Sequence, residues 1–439
     1  MRRSYIEGIC SFVDEVRFSC QGIKVIERAK YMDFQTAFNE LHIYGQEHLL
    51  KYYDELSQKQ QEVLLKQIES IDWKLFDLLK QHNDSKKLGR IEPPKALELE
   101  DINRESNKFE EIGFDAIRSG KVGAVLLAGG QGTRLGFDRP KGTLNVGITK
   151  ELYLFEILIN NLMEVTRKAG VWVPFYIMTS DRNNKETIEF FEVHNYFGYP
   201  SEYITFFIQE MAPSVDFDGK ILMEGPGTLS LSPNGNGGWF SSMKKCGLLK
   251  DLHKKGIEWL NIFSVDNVLQ KIADPLFVGA TLHSGCVSGA KAVKKANPDE
   301  RVGVLCLEDG RPSIVEYYEM TEEMRNSKRE DGELLYNFGV TLNYLFNVNN
   351  LEKILNGHMP VHIVKKKIPY IDEEGTLVQP ETENGYKFET LALDMIHLLD
   401  NCLAYEIERK LEFAPIKNKT GVDSLESARA LMLELGIEL

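Results

Sequence analysis

The chain has little cysteine, and none of it is paired by spacing. Cys10, Cys20, Cys246, Cys286, Cys306 and Cys402 are scattered through 439 residues without a C-x-x-C pair. That pattern disfavours zinc, and a chain of this length needs no disulfide staples, so reduced core thiols are expected. Positive charge is also short, with 52 Lys+Arg against 66 Asp+Glu and a formal charge of −14. An acidic chain repels phosphate polymers at long range, which excludes nucleic acid as a bulk partner. A small phosphorylated ligand remains possible, because a local cluster of Arg, Lys and backbone N–H groups can hold it. No apolar stretch approaches the roughly 18 residues of a spanning helix, so no membrane partner is expected. Met1-Arg2-Arg3 is basic, but Glu7 and Asp14 interrupt any apolar signal core. These absences describe a cytoplasmic protein. Internal repeats and low-complexity segments are missing as well.

What is present divides into regions. The length exceeds one ordinary core, so two or three domains are expected. Residues 1 to about 105 read as helical. Leu64, Ile68, Ile71, Leu75 and Leu78 follow the spacing of a one-sided helix, and Ser57 with Gln60 fits a capping box at its start. Pro93-Pro94, after the polar stretch 82–87, ends that region. From about residue 120 the period changes. Runs at 122–128, 173–179, 204–208 and 259–265 are short and apolar, as in strands buried on both faces. Helical stretches at 152–167 and 185–194 lie between them, and a last helix is expected over 427–435. Strands alternating with helices predict an α/β fold with a mostly parallel sheet, and such sheets bind ligands at the carboxyl ends of their strands.

The first such end carries Leu127-Ala128-Gly129-Gly130-Gln131-Gly132-Thr133-Arg134-Leu135-Gly136, then Pro140-Lys141-Gly142. Glycines after a buried strand let the backbone approach a ligand and free N–H groups to face anionic oxygens. Arg134 can grip a phosphate with its planar fork, and Lys141 adds a mobile point charge. The dinucleotide fingerprint fails, because Gly130 and Gly132 are followed by Gly136, one residue late. A P-loop fails because no Gly-Lys-Ser/Thr follows. With two cations on one loop, a phosphate site is favoured over a bare tight turn.

The pattern L-x-G-G-x-G-T-R-L-G…P-K-G resembles the signature of sugar nucleotidyltransferases, and LAGGQGTRLG…PKG is similar to eukaryotic-type UDP-N-acetylglucosamine pyrophosphorylases of the UDP-sugar pyrophosphorylase family. Further blocks follow in family order across roughly residues 105–439: Phe217-Asp218-Gly219-Lys220-Ile221, Pro233-Asn234-Gly235-Asn236-Gly237-Gly238, Ser264-Val265-Asp266-Asn267, Val315-Glu316-Tyr317 and Glu412-Phe413-Ala414-Pro415-Ile416-Lys417-Asn418. The resemblance implies a Rossmann-like sheet flanked by helices, of the nucleotide-diphospho-sugar transferase type. It divides the chain into a helical N-terminal region (1–105), a catalytic domain (106–385) and a small C-terminal domain closing on the phosphates (386–439). It places UTP on Leu127, Ala128, Gly129, Gly130, Lys141, Gln209, Gly235, Asp266 and Lys387. It places the sugar 1-phosphate on Asn236, Glu316, Tyr317, Asn337 and Lys417. Asp266 would ligate Mg²⁺ or Mn²⁺, and Arg134 and Lys141 would be catalytic.

The implied reaction joins UTP and N-acetylglucosamine 1-phosphate into UDP-N-acetylglucosamine and diphosphate, in a monomer or homodimer. Val340 stands where the family usually has a sugar-contacting asparagine, within Asn337-Phe338-Gly339-Val340-Thr341. The residues therefore leave open glucose 1-phosphate or N-acetylgalactosamine 1-phosphate as the sugar, and a catalytically silent UDP-sugar sensor.

Overall fold

A computed structural model describes residues 32–80, 89–355 and 359–439. Cys10, Cys20, the basic start and the polar stretch 82–87 lie outside the described residues. The chain divides into two compact units, each discontinuous in sequence.

The larger unit comprises Ser85–Glu210, Asn236–Pro360 and Thr390–Leu439. Among the described residues its main feature is an 11-stranded sheet. Seven strands form its spine: β1 (Val122–Leu127), β2 (Phe175–Thr179), β3 (Ile204–Ile208), β4 (Trp259–Ser264), β5 (Ser288–Lys294), β6 (Phe338–Asn347) and β7 (Leu403–Glu406). They lie in the order β7-β5-β6-β4-β1-β2-β3. The pairs β4–β1, β1–β2, β2–β3 and β5–β7 are parallel, and β6 runs antiparallel between β4 and β5.

Every residue of β1 is buried, as a strand covered on both faces requires. Alternation sorts its side chains. Ala124 and Leu126 face a cluster with Phe155, Leu158 and Phe277, whereas Val125 and Leu127 face one with Trp239, Phe240 and Met395. Helix Leu154–Ala169 ends at Gly170 in the left-handed region (φ 76°). The helices Ser106–Arg118 and Pro275–Ser284 meet at Gly113 and Gly279, where any Cβ would overlap the opposite main chain. The hairpin of Val304–Glu308 and Arg311–Val315 turns at Asp309-Gly310, both at positive φ (51° and 81°), as a two-residue hairpin turn demands. It delivers Glu316.

The described residues of the smaller unit come from Met1–Asp84, Met211–Gly235 and Val361–Glu389. Helices Phe34–Tyr44, Gln58–Glu69 and Lys74–Lys80 share an apolar cluster with Val215, Ile221 and Phe388. Strand Gly385–Glu389 lies between His362–Lys366 and Val215–Asp216 in a three-stranded sheet.

Three features differ from the sequence reading. The periodic helix from Leu64 to Leu78 is two helices, because Asp72 accepts the Lys74 N–H (3.1 Å) and starts a new one after Ser70. Leu64, Ile68, Ile71 and Leu75 are still buried, while Leu78 is 41% exposed. The Ser57–Gln60 capping box is present. Around Pro93-Pro94 the chain is extended, and Ile91–Glu92 and Ala96–Leu97 join the large sheet through Val304–Glu308 and β7. Finally, the two units do not follow the contiguous three-part division. Strand pairing takes 361–389 into the smaller unit, and β7 takes the last fifty residues into the larger one.

Candidate active site

The phosphate-loop residues sit where β1 ends. Leu127 and Ala128 are buried, Gly129 is half-buried and Gly130 is exposed. The loop closes on itself: the Lys141 N–H donates to the Gly130 carbonyl (3.2 Å) and the Gly132 N–H to the Arg139 carbonyl (3.0 Å). Arg134 lies on the single turn Thr133–Leu135, exposed, with Gly136 beyond it at φ 72°. Gln209, at the end of β3, lies against Gly129 so closely that a Cβ there would stand 2.5 Å from Nε2. The absent side chain at Gly129 is thus what admits Gln209, which is only 7% exposed.

Asp266 follows β4, which is paired in parallel with β1, so both strands end on one side of the sheet. Lys141 Nζ lies 3.5 Å from Asp266 Oδ2, with side-chain exposures of 15% and 19%. The Glu412–Asn418 block comes to the same place. The Ile416 N–H donates to the Asp266 carbonyl (2.9 Å), and the Ala414 N–H to Asn267 Oδ1 (2.9 Å). Asn267 Nδ2 in turn donates to the Glu412 carbonyl (2.8 Å). This brings Lys417 to Asp266. Burial pushes the Asp266 carboxyl up, but the ammonium groups of Lys141 and Lys417, with the Ser264 hydroxyl, outweigh it and hold the carboxyl below its ordinary range. Burial likewise pushes the Lys141 ammonium down against the pull of Asp266, with Lys417 and Arg134 adding like-charge repulsion. Lys141 and Lys417 act on Asp266 and Arg134 acts on Lys141, so cations gather at this strand end, as a polyanion requires.

Asn236 is locked by helix Ala392–Leu398: its Oδ1 accepts the Ala392 N–H (2.9 Å), and the Gly237 N–H donates to the Thr390 carbonyl (2.9 Å). Glu316 is half-buried at the end of the hairpin, and its Oε1 lies 3.4 Å from where a Cβ on Gly303 would stand. Tyr317, 38% exposed, lines a cavity of about 380 Å³ with Lys295, Arg301 and Arg325. Gly235 and Lys387 belong to the smaller unit, where Lys387 pairs with Val364.

Residues 57–432 match the sequence profile of UTP–glucose-1-phosphate uridylyltransferase. The chain belongs to this family. It is 36% identical over 417 residues to UDP-N-acetylhexosamine pyrophosphorylase-like protein 1 of Homo sapiens, covering 89% of this chain and 82% of that one. It is 35% identical over 421 residues to the UDP-N-acetylglucosamine pyrophosphorylase of Saccharomyces cerevisiae, covering 89% and 88%. Among solved structures, the UDP-N-acetylglucosamine pyrophosphorylase of Trypanosoma brucei in complex with inhibitor superposes with a TM-score of 0.80 at 27% identity, covering 92% of this chain and 85% of that one. The mostly parallel α/β sheet is thus the uridylyltransferase fold.

At the start of β6 the Asn337 amide is engaged within the chain. Asn337 is 2% exposed, with Oδ1 accepting the Lys295 N–H (3.0 Å) and Nδ2 donating to Glu333 Oε2 (3.0 Å). Both ends of its amide anchor the start of β6. Val340 lies in β6 beside an apolar cluster, its N–H donated to the Gly303 carbonyl (2.9 Å).

Sequence reasoning also missed residues. Asn183 is fully buried. Its Nδ2 donates to the Ala128 carbonyl (2.9 Å), and its Oδ1 accepts the Ser180 N–H (2.8 Å), so it pins the phosphate loop to the turn after β2. An Asn just ahead of a helix is the one signal that could have marked it. Among the described residues Gln131 Oε1 is buried without a hydrogen-bond partner, an acceptor suited to a hydroxyl or N–H of a nucleotide. No described group of three or more His, Cys, Asp or Glu side chains is arranged to hold a metal. Asp266 alone, ionised and partly accessible, fits Mg²⁺, which commonly takes one or two carboxylates and completes its octahedron with water and phosphate oxygens. Among the described residues no helix is long and apolar enough to cross a membrane.

Proposed function

We propose that the chain transfers a uridylyl group from UTP to N-acetylglucosamine 1-phosphate, forming UDP-N-acetylglucosamine and diphosphate. The observation that carries this reading is the convergence of Lys141, Lys417, Arg134 and Asp266 beside the glycine loop, at the carboxyl ends of β1 and β4. The names of the human, yeast and trypanosome relatives support the amino sugar.

In this mechanism a phosphate oxygen of the sugar 1-phosphate attacks the α-phosphorus of UTP. One O–P bond forms there, and the bond from that phosphorus to the bridging oxygen breaks. The electron pair leaves with diphosphate. The nucleophile is already anionic at neutral pH, so no side chain need remove a proton. The protein's task is to align two polyanions and offset their repulsion. Gly129 and Gly130 bring the backbone to the nucleotide, and Gln209 holds the base. Lys141 and Arg134 grip the departing phosphates, Lys417 takes the sugar phosphate, and Glu316 accepts from sugar hydroxyls. Mg²⁺ or Mn²⁺, held by Asp266, would supply further neutralisation of phosphate charge. Asn236, fixed against Ala392, meets the N-acetyl group. The reading is of a cytoplasmic enzyme, monomeric or homodimeric, without a nucleic-acid partner.

The same transfer to glucose 1-phosphate is a second reading. Its support is that Val340 offers no polar group and the Asn337 amide is already engaged. Comparing kcat/KM for the 1-phosphates of N-acetylglucosamine, N-acetylgalactosamine and glucose separates these cases. The highest value is expected with N-acetylglucosamine 1-phosphate; a higher value with glucose would replace the sugar assignment.

A further inference from the structure

A buried ion cluster lies outside the residues that the transfer itself employs. Lys291, on β5, is 1% exposed. Its Nζ donates to Asp274 Oδ2 (2.7 Å) and Glu412 Oε2 (2.6 Å), and Lys271 Nζ lies 3.2 Å from Glu412 Oε1. Two lysines and two carboxylates make the cluster neutral. Each carboxylate has a second task. Asp274 caps helix Pro275–Ser284 by accepting the Leu276 N–H (3.2 Å), which fixes the far end of the loop that begins with Asp266. Glu412 starts the segment that ends in Lys417, and its carbonyl accepts from Asn267, the neighbour of Asp266. One ammonium therefore grips, at once, the two loops that carry Asp266 and Lys417.

Apolar residues of similar volume often serve stability as well as a buried ion pair does, so a quartet at this position is better explained by placement than by stability. We propose that Lys291, through Asp274 and Glu412, is a positioning residue of the uridylyl transfer that holds Asp266 and Lys417 in register. This rests on the reaction proposed above.

The test uses two variants of the full chain, each chosen to leave no buried charge without a partner. Glu412→Gln leaves the Lys291–Asp274 pair and frees Lys271, which is 51% exposed, to water. Lys291→Met/Asp274→Asn leaves the Lys271–Glu412 pair and an amide oxygen able to cap the helix. Thermal unfolding and steady-state kinetics are measured for each. A displacement of the order of 1 Å at reacting groups costs up to about 100-fold. The expected result is a kcat lowered about 10- to 100-fold, with KM for UTP within about 2-fold, in whichever variant is folded at the assay temperature. A folded variant with kcat within about 2-fold of the parent overturns the inference and leaves the reaction standing. A parent chain that releases no diphosphate overturns both.

Discussion

Gln209 packs so closely on Gly129 that a methyl group at position 129 must displace its amide. Gly129 is outside the left-handed region, so an alanine there carries no backbone strain. Its Cβ would stand 2.5 Å from Gln209 Nε2 and 2.8 Å from Cδ. Ordinary heavy-atom contact is about 3.5 Å, so the amide must retreat by about 1 Å. The clash is with the end of a flexible side chain, and the stability cost is expected at or below about 1 kcal/mol, the low end for overpacking. The functional cost is one hydrogen bond to the base, about 0.5–1.5 kcal/mol. That converts to a rise of about 2- to 13-fold in KM for UTP. Gly129→Ala should therefore raise KM for UTP by that factor with kcat little changed. Gln209→Ala should do the same, and the double variant should be no worse than either single. Steady-state kinetics with UTP varied, arranged as a double-mutant cycle, reads this directly. An unchanged KM in Gly129→Ala, or additive effects in the double variant, would refute the placement of Gln209 against the base.

Three further outcomes are expected. Arg134→Ala should lower kcat by about 100- to 1000-fold while raising KM for the sugar phosphate much less, because its fork meets charge that develops on the departing phosphates; equal losses in both constants would contradict that role. Asn183→Ala strips the buried Ala128 carbonyl and Ser180 N–H of their partner, costing about 1–3 kcal/mol in chemical unfolding together with a loss of kcat. Burial pushes the Asp274 carboxyl up, but Lys291 and Lys271 hold it below its ordinary range. A folded pKa below the unfolded one gives stability that is present above about pH 4 and lost as pH falls through the folded value. The melting temperature of the parent should accordingly fall more steeply on acidification below about pH 4 than that of Lys291→Met/Asp274→Asn.

Much of the sheet and the loop was legible because local rules sufficed. The short apolar run at 122–128 reads as a buried strand, and β1 covers six of its residues. Glycines with Arg134 and Lys141 on one loop pointed to an anion site, and the structure sets Lys141 beside Asp266 there. What could not be read was assembly across sequence distance. Asp266 and Lys417 are joined through Asn267 and the 412–416 backbone, contacts that no spacing encodes. Asn183 carried no motif, because its work is done on the carbonyl of another segment. Ile91–Glu92 and Ala96–Leu97 are too short for periodicity to register, and prolines beside a helix-rich stretch read as a stop rather than as sheet edges. The discontinuous smaller unit has the same cause, since its strands pair across more than a hundred residues.

The most direct measurement of the central claim is product analysis with the purified chain. UTP, N-acetylglucosamine 1-phosphate and Mg²⁺ should yield UDP-N-acetylglucosamine and diphosphate in equal amounts. Failure to form either product from UTP with any hexose 1-phosphate would contradict the account.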